Sequence, residues 1–202
     1  MNFLVVIVSY LLGSINFAYI TARIKGIDIS SEGSGNPGTS NVLRTLGKGS
    51  AAIVLLGDLF KGAIPIIFFY QDQYFLVYGL AAVLGHIYPV FYKFKGGKGV
   101  ATYLGVYVAT VLMNPYNSDL FNIEIFQILN IPVLAFFYFV VFKTTRVSAI
   151  ASLATVLITV SLLIYINNEI SNVVVLVFLF VLILIKHSEN IKRLREGKEN
   201  KF

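Results

Sequence analysis

The feature that most constrains this chain is a series of apolar stretches that recurs from one end to the other. Each is close to the roughly 20 residues needed to cross the hydrocarbon core of a bilayer. Seven are read as spans: 3–22, 51–70, 74–92, 99–113, 124–142, 148–166 and 171–187. The connections between them alternate in charge. Arg23, Lys25, Arg44 and Lys48 lie in the first, Lys93, Lys95 and Lys98 in the third, and Lys143 and Arg146 in the fifth. A basic tail runs from Lys186 to Lys201. The second connection, Gln71-Asp72-Gln73, and those at 114–123 and 167–170 contain no cation, and Asp72, Asp119, Glu124 and Glu169 lie on that side. Counting Lys186 with the basic tail, fifteen of the sixteen Lys and Arg residues fall on one side, and the sixteenth, Lys61, lies inside span two. Membrane proteins keep their Lys and Arg excess on cytoplasmic loops. The expected fold is therefore an all-α polytopic membrane protein of seven transmembrane helices, with the N-terminus outside and the C-terminus in the cytoplasm. The alternation supports the count, because losing one span would place basic loops on both sides.

Composition agrees. The chain is 57% hydrophobic with a mean hydropathy of +0.79, whereas soluble domains average about 45–50% apolar. Its 202 residues leave no room for a separate soluble domain, so 1–202 is read as one transmembrane domain. A net charge of +6 would suggest nucleic acid in a soluble protein. Here the loop bias accounts for it, and no nucleic-acid partner is expected. The absence of cysteine excludes disulfides, thiolate metal sites and an acyl-cysteine intermediate. Phe3 to Leu12 has the look of a signal-peptide core but lacks a positive flank, and Gly13, Ser14 and Asn16 follow at once. It is read as a retained first helix.

Two glycine-rich basic loops fall on the expected cytoplasmic side. The first is Gly33-Ser34-Gly35-Asn36-Pro37-Gly38-Thr39-Ser40-Asn41, with Arg44 shortly after. Small residues let backbone N–H groups converge on an anion, Ser34, Asn36, Thr39 and Asn41 add neutral donors, and Arg44 can grip a phosphate bidentately. A solvated turn-rich loop before a helix is the plainer alternative. The second is Lys93-Phe94-Lys95-Gly96-Gly97-Lys98-Gly99. Its glycines permit close approach of backbone to a ligand, but it lacks the first Gly and the Ser/Thr of a nucleotide-binding P-loop. The alternative is a flexible loop facing anionic lipid. That both loops share one side strengthens the phosphate reading.

Other polar residues also stand out. Asp58 and Lys61 lie three apart within span two, where charges are costly and either pair structurally or line a polar cavity. Ser14 and Asn16 either join helices or face the same cavity. His86, just before Pro89, has the chemistry of a general base but also of a structural donor. His187 opens the basic tail, with Asn190 behind it, and reads equally as an interfacial histidine. Ser148 and Ser152 lie one turn apart at the start of span six, placed to cap the helix or to bind an anion.

In this order, these segments resemble the bacterial acyl-phosphate:glycerol-3-phosphate acyltransferase family, PlsY. The resemblance begins at Gly13-Ser14-Ile15 and is most specific from Gly33 to Lys48. It continues through Asp58-Leu59-Phe60-Lys61-Gly62, Gly85 to Phe91, Lys93 to Thr102, Val147 to Leu153, and His187, Asn190, Ile191, Arg193 and Leu194. It departs at Asn16 and Ala18, where the family has Pro and Gly, and at Thr145-Arg146, where a Lys-Tyr type pair is commoner.

The resemblance implies a reaction. A fatty acyl group passes from acyl phosphate to the sn-1 hydroxyl of glycerol 3-phosphate, giving lysophosphatidic acid and inorganic phosphate. It implies catalytic roles for Ser34, Arg44, His86, Lys98, Ser148 and Asn190. Phosphate-binding roles fall to Ser14, Gly35, Asn36, Asn41, Lys95, Gly96, Gly97, Gly99, Ser152 and His187, and a structural ion pair to Asp58 and Lys61. No cofactor and no metal are expected. The partners are acyl phosphate, glycerol 3-phosphate, membrane lipid and the enzyme that produces the acyl phosphate. The location is the bacterial cytoplasmic membrane, with the active site facing the cytoplasm. The His-x-x-x-x-Asp signature of other glycerophosphate acyltransferases is missing, since Phe91 and Lys192 stand five residues beyond the two histidines. The main rival is an anion transporter, which would place its binding groups at the bilayer midplane within related repeats. A purely structural scaffold is the third reading, and it leaves the two loops without a task.

Overall fold

The computed structural model describes residues 1–113, 123–167 and 169–202. The connection expected at 114–122, with Asp119, lies outside the described residues, as do Asn168 and the side chain of Glu124. The regular structure among the described residues is all helical. In order it comprises α1 (Phe3–Gly13), α2 (Phe17–Ile24), α3 (Thr39–Phe69), α4 (Phe75–Ile87), a 3-10 turn (Val90–Tyr92), α5 (Val100–Met113), α6 (Ile123–Thr145), α7 (Ser148–Ile166), α8 (Ile170–Lys186) and α9 (Ser188–Arg195). These form two compact units, Met1–Thr110 and Val111–Phe202.

Helix–helix contact in lipid relies on small residues that let backbones approach. In the first unit, α4 packs on α1 and on α3, and α2 packs on α3. At the α1–α4 crossing, a Cβ on Gly13 would overlap the Ala82 carbonyl oxygen, and one on Gly85 would overlap that of Tyr10. Gly62 and Gly105 play the same part between α3 and α5, against the carbonyl oxygens of Thr102 and Leu59.

Residues 3–22, expected as one helix, are instead two. Asn16 Oδ1 accepts from the N–H groups of Ala18 (3.0 Å) and Tyr19 (3.1 Å), so it caps a new helix. The Ile15 carbonyl at the break accepts from Lys61 Nζ at 2.7 Å. A backbone group freed within the membrane must find such a partner.

The second span also differs from expectation. α3 runs for 31 residues, with one non-helical position, Gly47, at φ 81°, ψ 179°. Only glycine occupies that region readily. It divides a short helical segment carrying Arg44 from the long apolar stretch carrying Asp58 and Lys61.

Among the described residues, four helical segments are long and apolar enough to cross a membrane: Phe3–Ile24, Thr39–Phe69, Phe75–Tyr92 and Ser148–Ile166. Ile170–Lys186 with Ser188–Arg195, bent by 52°, makes a fifth candidate. Two of the seven expected spans correspond to shorter apolar helices, Val100–Met113 and Leu129–Thr145.

In the second unit, α7 packs against both α6 and α8. Its buried hydroxyls are satisfied within the helix: Thr155 donates to the Ala151 carbonyl and Thr159 to that of Thr155, both at 2.8 Å. The C-terminus folds back, with Phe202 N–H donating to the Arg146 carbonyl at 3.0 Å and its ring set edge-on to Phe142.

Candidate active site

The first glycine-rich loop is built around Asn41, 1% exposed at the start of α3. Its Oδ1 accepts from Ser34 N–H at 2.9 Å, and its Nδ2 donates to the carbonyls of Glu32 (2.9 Å) and Ile29 (3.4 Å). Gly33 takes φ +57°, and a Cβ there would overlap Asn41 Oδ1. The Asn41 amide is therefore committed to holding the loop. Asp28 fixes the approach: it accepts from Ser30 Oγ at 2.7 Å and Ser30 N–H at 3.0 Å. The Ser30 hydroxyl, with the Ser30 N–H, holds the Asp28 carboxyl below its ordinary value of 3.8. Ser34 stays exposed, and Gly35, Asn36 and Arg44 are half-buried.

The second loop leaves α4 through Pro89 and turns at Lys93 and Phe94, which take φ +53° and +60°. Lys95 is exposed and Lys98 half-buried between buried Gly97 and Gly99. The Gly99 carbonyl accepts from Tyr103 N–H at 2.8 Å, so α5 begins directly after Lys98. Gly97 N–H donates to the His86 carbonyl at 3.2 Å. A Cβ on Gly96 would overlap that same carbonyl oxygen. A Cβ on Gly97 would overlap His86 Nε2 and come within 3.0 Å of the Pro37 carbonyl oxygen. Gly97 thus lies where the two loops meet.

His86 is 3% exposed. Its Nδ1 lies 3.5 Å from Asp58 Oδ1, which is 2.8 Å from Lys61 Nζ. Asp58, Lys61 and His86 form one buried cluster, tied by Lys61 to the break between α1 and α2. Ser14 stays out of it. It is fully buried and its Oγ donates to the Tyr10 carbonyl at 2.9 Å, one turn back on its own helix.

The remaining residues of interest lie in the second unit. Ser148 is the first residue of α7, after Arg146 at φ +58°. Ser152, one turn on, is a hydrogen-bond partner of the Tyr138 hydroxyl. His187, 2% exposed between α8 and α9, contacts the Ile183 carbonyl through Nδ1 at 2.8 Å. Because a carbonyl only accepts, Nδ1 carries the proton. Asn190 Nδ2 donates to Glu199 Oε1 at 2.8 Å, and Arg193 Nε donates to Glu199 Oε2 at 2.8 Å.

Sequence reasoning passed over Glu199, whose side chain is 6% exposed, because it sits within a run that reads as a solvated basic tail. It also passed over the Asp58–His86 approach. The available signal was weak: a carboxylate and a histidine buried in different spans, 28 residues apart.

The glycerol-3-phosphate acyltransferase family model matches residues 3–197. Among relatives, the glycerol-3-phosphate acyltransferase of Wolbachia pipientis wMel is 39% identical over 206 residues, covering 100% of this chain and 98% of that protein. That of Aquifex aeolicus strain VF5 is 40% identical over 207 residues, covering 98% and 97%. A crystal structure of PlsY, an integral membrane glycerol 3-phosphate acyltransferase, in its glycerol 3-phosphate form superposes with a TM-score of 0.84 at 34% identity, covering 99% of this chain and 94% of that one. The lysophosphatidic acid form gives 0.79 at 36%, with the same coverage. With the match running across both units and all the motifs above, the chain belongs to the glycerol-3-phosphate acyltransferase family.

Proposed function

We propose that the chain transfers a fatty acyl group from acyl phosphate to the sn-1 hydroxyl of glycerol 3-phosphate, releasing lysophosphatidic acid and inorganic phosphate. The observation that carries this reading is the meeting of two glycine-rich, cation-flanked loops at Gly97, beside the buried His86, in a chain of this family. Both substrates carry phosphate, which gives two such loops a common purpose.

Acyl phosphate is an activated mixed anhydride. The hydroxyl oxygen attacks the acyl carbon, the new ester C–O bond forms, and the C–O bond to phosphate breaks with its electron pair leaving on phosphate. The protein has mainly to orient the hydroxyl and to stabilise charge on the carbonyl oxygen and the departing phosphate. Arg44, Lys98 and the amides of Gly35, Gly96, Gly97 and Gly99 are assigned to the phosphates, with Asn36 and Lys95 at the rim. Ser34, Ser148 and Asn190 position them, with Ser152 and His187 in support. Asn41 and Ser14 act as framework, given where their hydrogen bonds go. His86 is enclosed by Asp58 and Gly97. That enclosure favours a phosphate oxygen of the substrate, rather than His86, as acceptor of the hydroxyl proton. Transfer is direct. The chain has no cysteine to form a thioester, and no metal or cofactor enters the scheme.

The same reading takes 1–202 as one acyltransferase domain with seven spans, the N-terminus outside and the loops facing the cytoplasm of a bacterial inner membrane. The acyl tail lies among the spans, and the enzyme that makes acyl phosphate delivers it from the same side. The test is an assay of the purified protein in detergent with EDTA, giving labelled glycerol 3-phosphate and either palmitoyl phosphate or palmitoyl-CoA. Lysophosphatidic acid is expected from the acyl phosphate alone. Product from the thioester alone would overturn the donor, and labelled substrate that binds without product would favour a transporter.

A further inference from the structure

We infer that Asp58 is a positioning residue for the second glycine-rich loop and acts through His86, an inference that rests on reading that loop as a holder of substrate phosphate. A buried ion pair that only locked helices would need its two charges and nothing more. Here the carboxylate has a further neighbour: Oδ1 faces Lys61 Nζ at 2.8 Å and His86 Nδ1 at 3.5 Å, and all three side chains are at most 4% exposed. Lys61 balances the carboxylate charge while its second contact, to the Ile15 carbonyl, anchors the cluster to the break in the first span. The cluster is therefore fixed on three elements: α3, α4 and the α1–α2 turn.

That fixed point is transmitted to the loop by one residue. With the Nδ1 edge of His86 turned toward Asp58, the Nε2 edge lies against Gly97. The backbone of the same histidine receives the Gly97 N–H and leaves no space for a Cβ on Gly96. Ring and carbonyl of His86 together set the path of Gly96-Gly97, and Lys98 follows directly. The histidine χ2 torsion is broad and soft on its own. Without the carboxylate the ring is free to turn, the support under Gly97 is lost, and the amides and Lys98 shift relative to any phosphate they hold. A carboxylate facing one ring nitrogen of a histidine commonly fixes which nitrogen carries the proton and so what the other edge presents. The effect falls on binding more than on the chemical step, because Asp58 is buried behind His86 and acts only through the position of the loop.

The test uses two charge-balanced double variants of the full chain, so that neither leaves an unpaired buried charge. Asp58→Leu/Lys61→Met removes the oxygen facing His86, whereas Asp58→Asn/Lys61→Met keeps one. Both lose the Lys61 contact to Ile15, so that cost cancels between them. The first variant is expected to raise the KM for glycerol 3-phosphate or for acyl phosphate about tenfold or more, with kcat changed less than about threefold. The second should return KM to within about threefold of the parent. Equal KM values in the two folded variants would assign the cluster a purely structural role and overturn the inference.

A readout that leaves the Asp58–Lys61–His86 cluster unchanged is the nitrogen NMR of labelled histidine. The chain has only two histidines, and His187→Gln assigns the pair. His86 is expected to carry a proton on Nδ1; a deprotonated Nδ1 would also overturn the inference. Failure of the functional reading is distinct, since the parent protein would then make no lysophosphatidic acid from either donor.

Discussion

Gly97 concentrates several demands on one residue. Its amide donates to His86, its α-carbon faces His86 Nε2, and the Pro37 carbonyl of the other loop lies on the same side. Gly97→Ala is expected to lower turnover about tenfold or more, since displacements near 1 Å at a positioned site cost rates of that order. Steady-state assays check this, alongside a melting curve that measures the destabilisation the overlap with His86 also brings. Asn41 teaches the complementary lesson about reading loops. By residue type it looks like a neutral phosphate donor, and that assignment came from the same motif as Ser34 and Asn36. Its amide is instead used on Ser34, Glu32 and Ile29. A sequence shows that a loop is rich in donors. Which donors the loop consumes on itself depends on the turn it adopts, and that turn needs the partner backbone in place.

At the scale of elements, apolar periodicity located the helices but not their interruptions. Asn16 and Gly47 are each a single residue inside or beside a strongly apolar run, so the run dominated the reading. The physical signals were present: an Asx cap after Gly13-Ser14, and two glycines, Gly47 and Gly49, between Arg44 and the apolar stretch. At Gly47 the backbone sits where only glycine is comfortable. Gly47→Ala is expected to cost about 1–3 kcal/mol through strain and to impair activity by shifting the Arg44 turn. Gly49, two residues on in regular helix with open space around its Cα, is the control: Gly49→Ala should be neutral or stabilising by up to about 1 kcal/mol. Thermal unfolding in one detergent compares the pair. Equal destabilisation of both would contradict the special geometry at Gly47.

Across the whole molecule, the alternation of charged and uncharged connections is a property of the sequence itself, and the orientation proposed from it rests on loop charge and not on packing. The family was legible because its motifs are long and ordered, and the match extends from residue 3 to 197. The contacts among Pro37, Asp58, His86 and Gly97 were not legible, because they join residues from separate elements and exist only once the first unit is packed. Glu199 escaped for a similar reason, since its two partners lie on α9 and become neighbours only after the tail turns back at Gly197. The proposed topology is directly testable, because a cysteine-free chain accepts single cysteines without background. In intact cells, an impermeant maleimide should label Gln73→Cys and Glu169→Cys but not Lys25→Cys or Lys143→Cys. Labelling of the second pair instead would invert the protein.

The central claim is that the two basic glycine-rich loops hold the substrate phosphates. The measurement that tests it most directly is steady-state acyl transfer by Arg44→Ala and Lys98→Ala, each checked for folding by its melting temperature. A charge-assisted contact to phosphate lost from a positioned site costs about 2–4 kcal/mol, so the account predicts that kcat/KM falls about 30-fold or more in each while both proteins stay folded. Near-parental kcat/KM in both would contradict it.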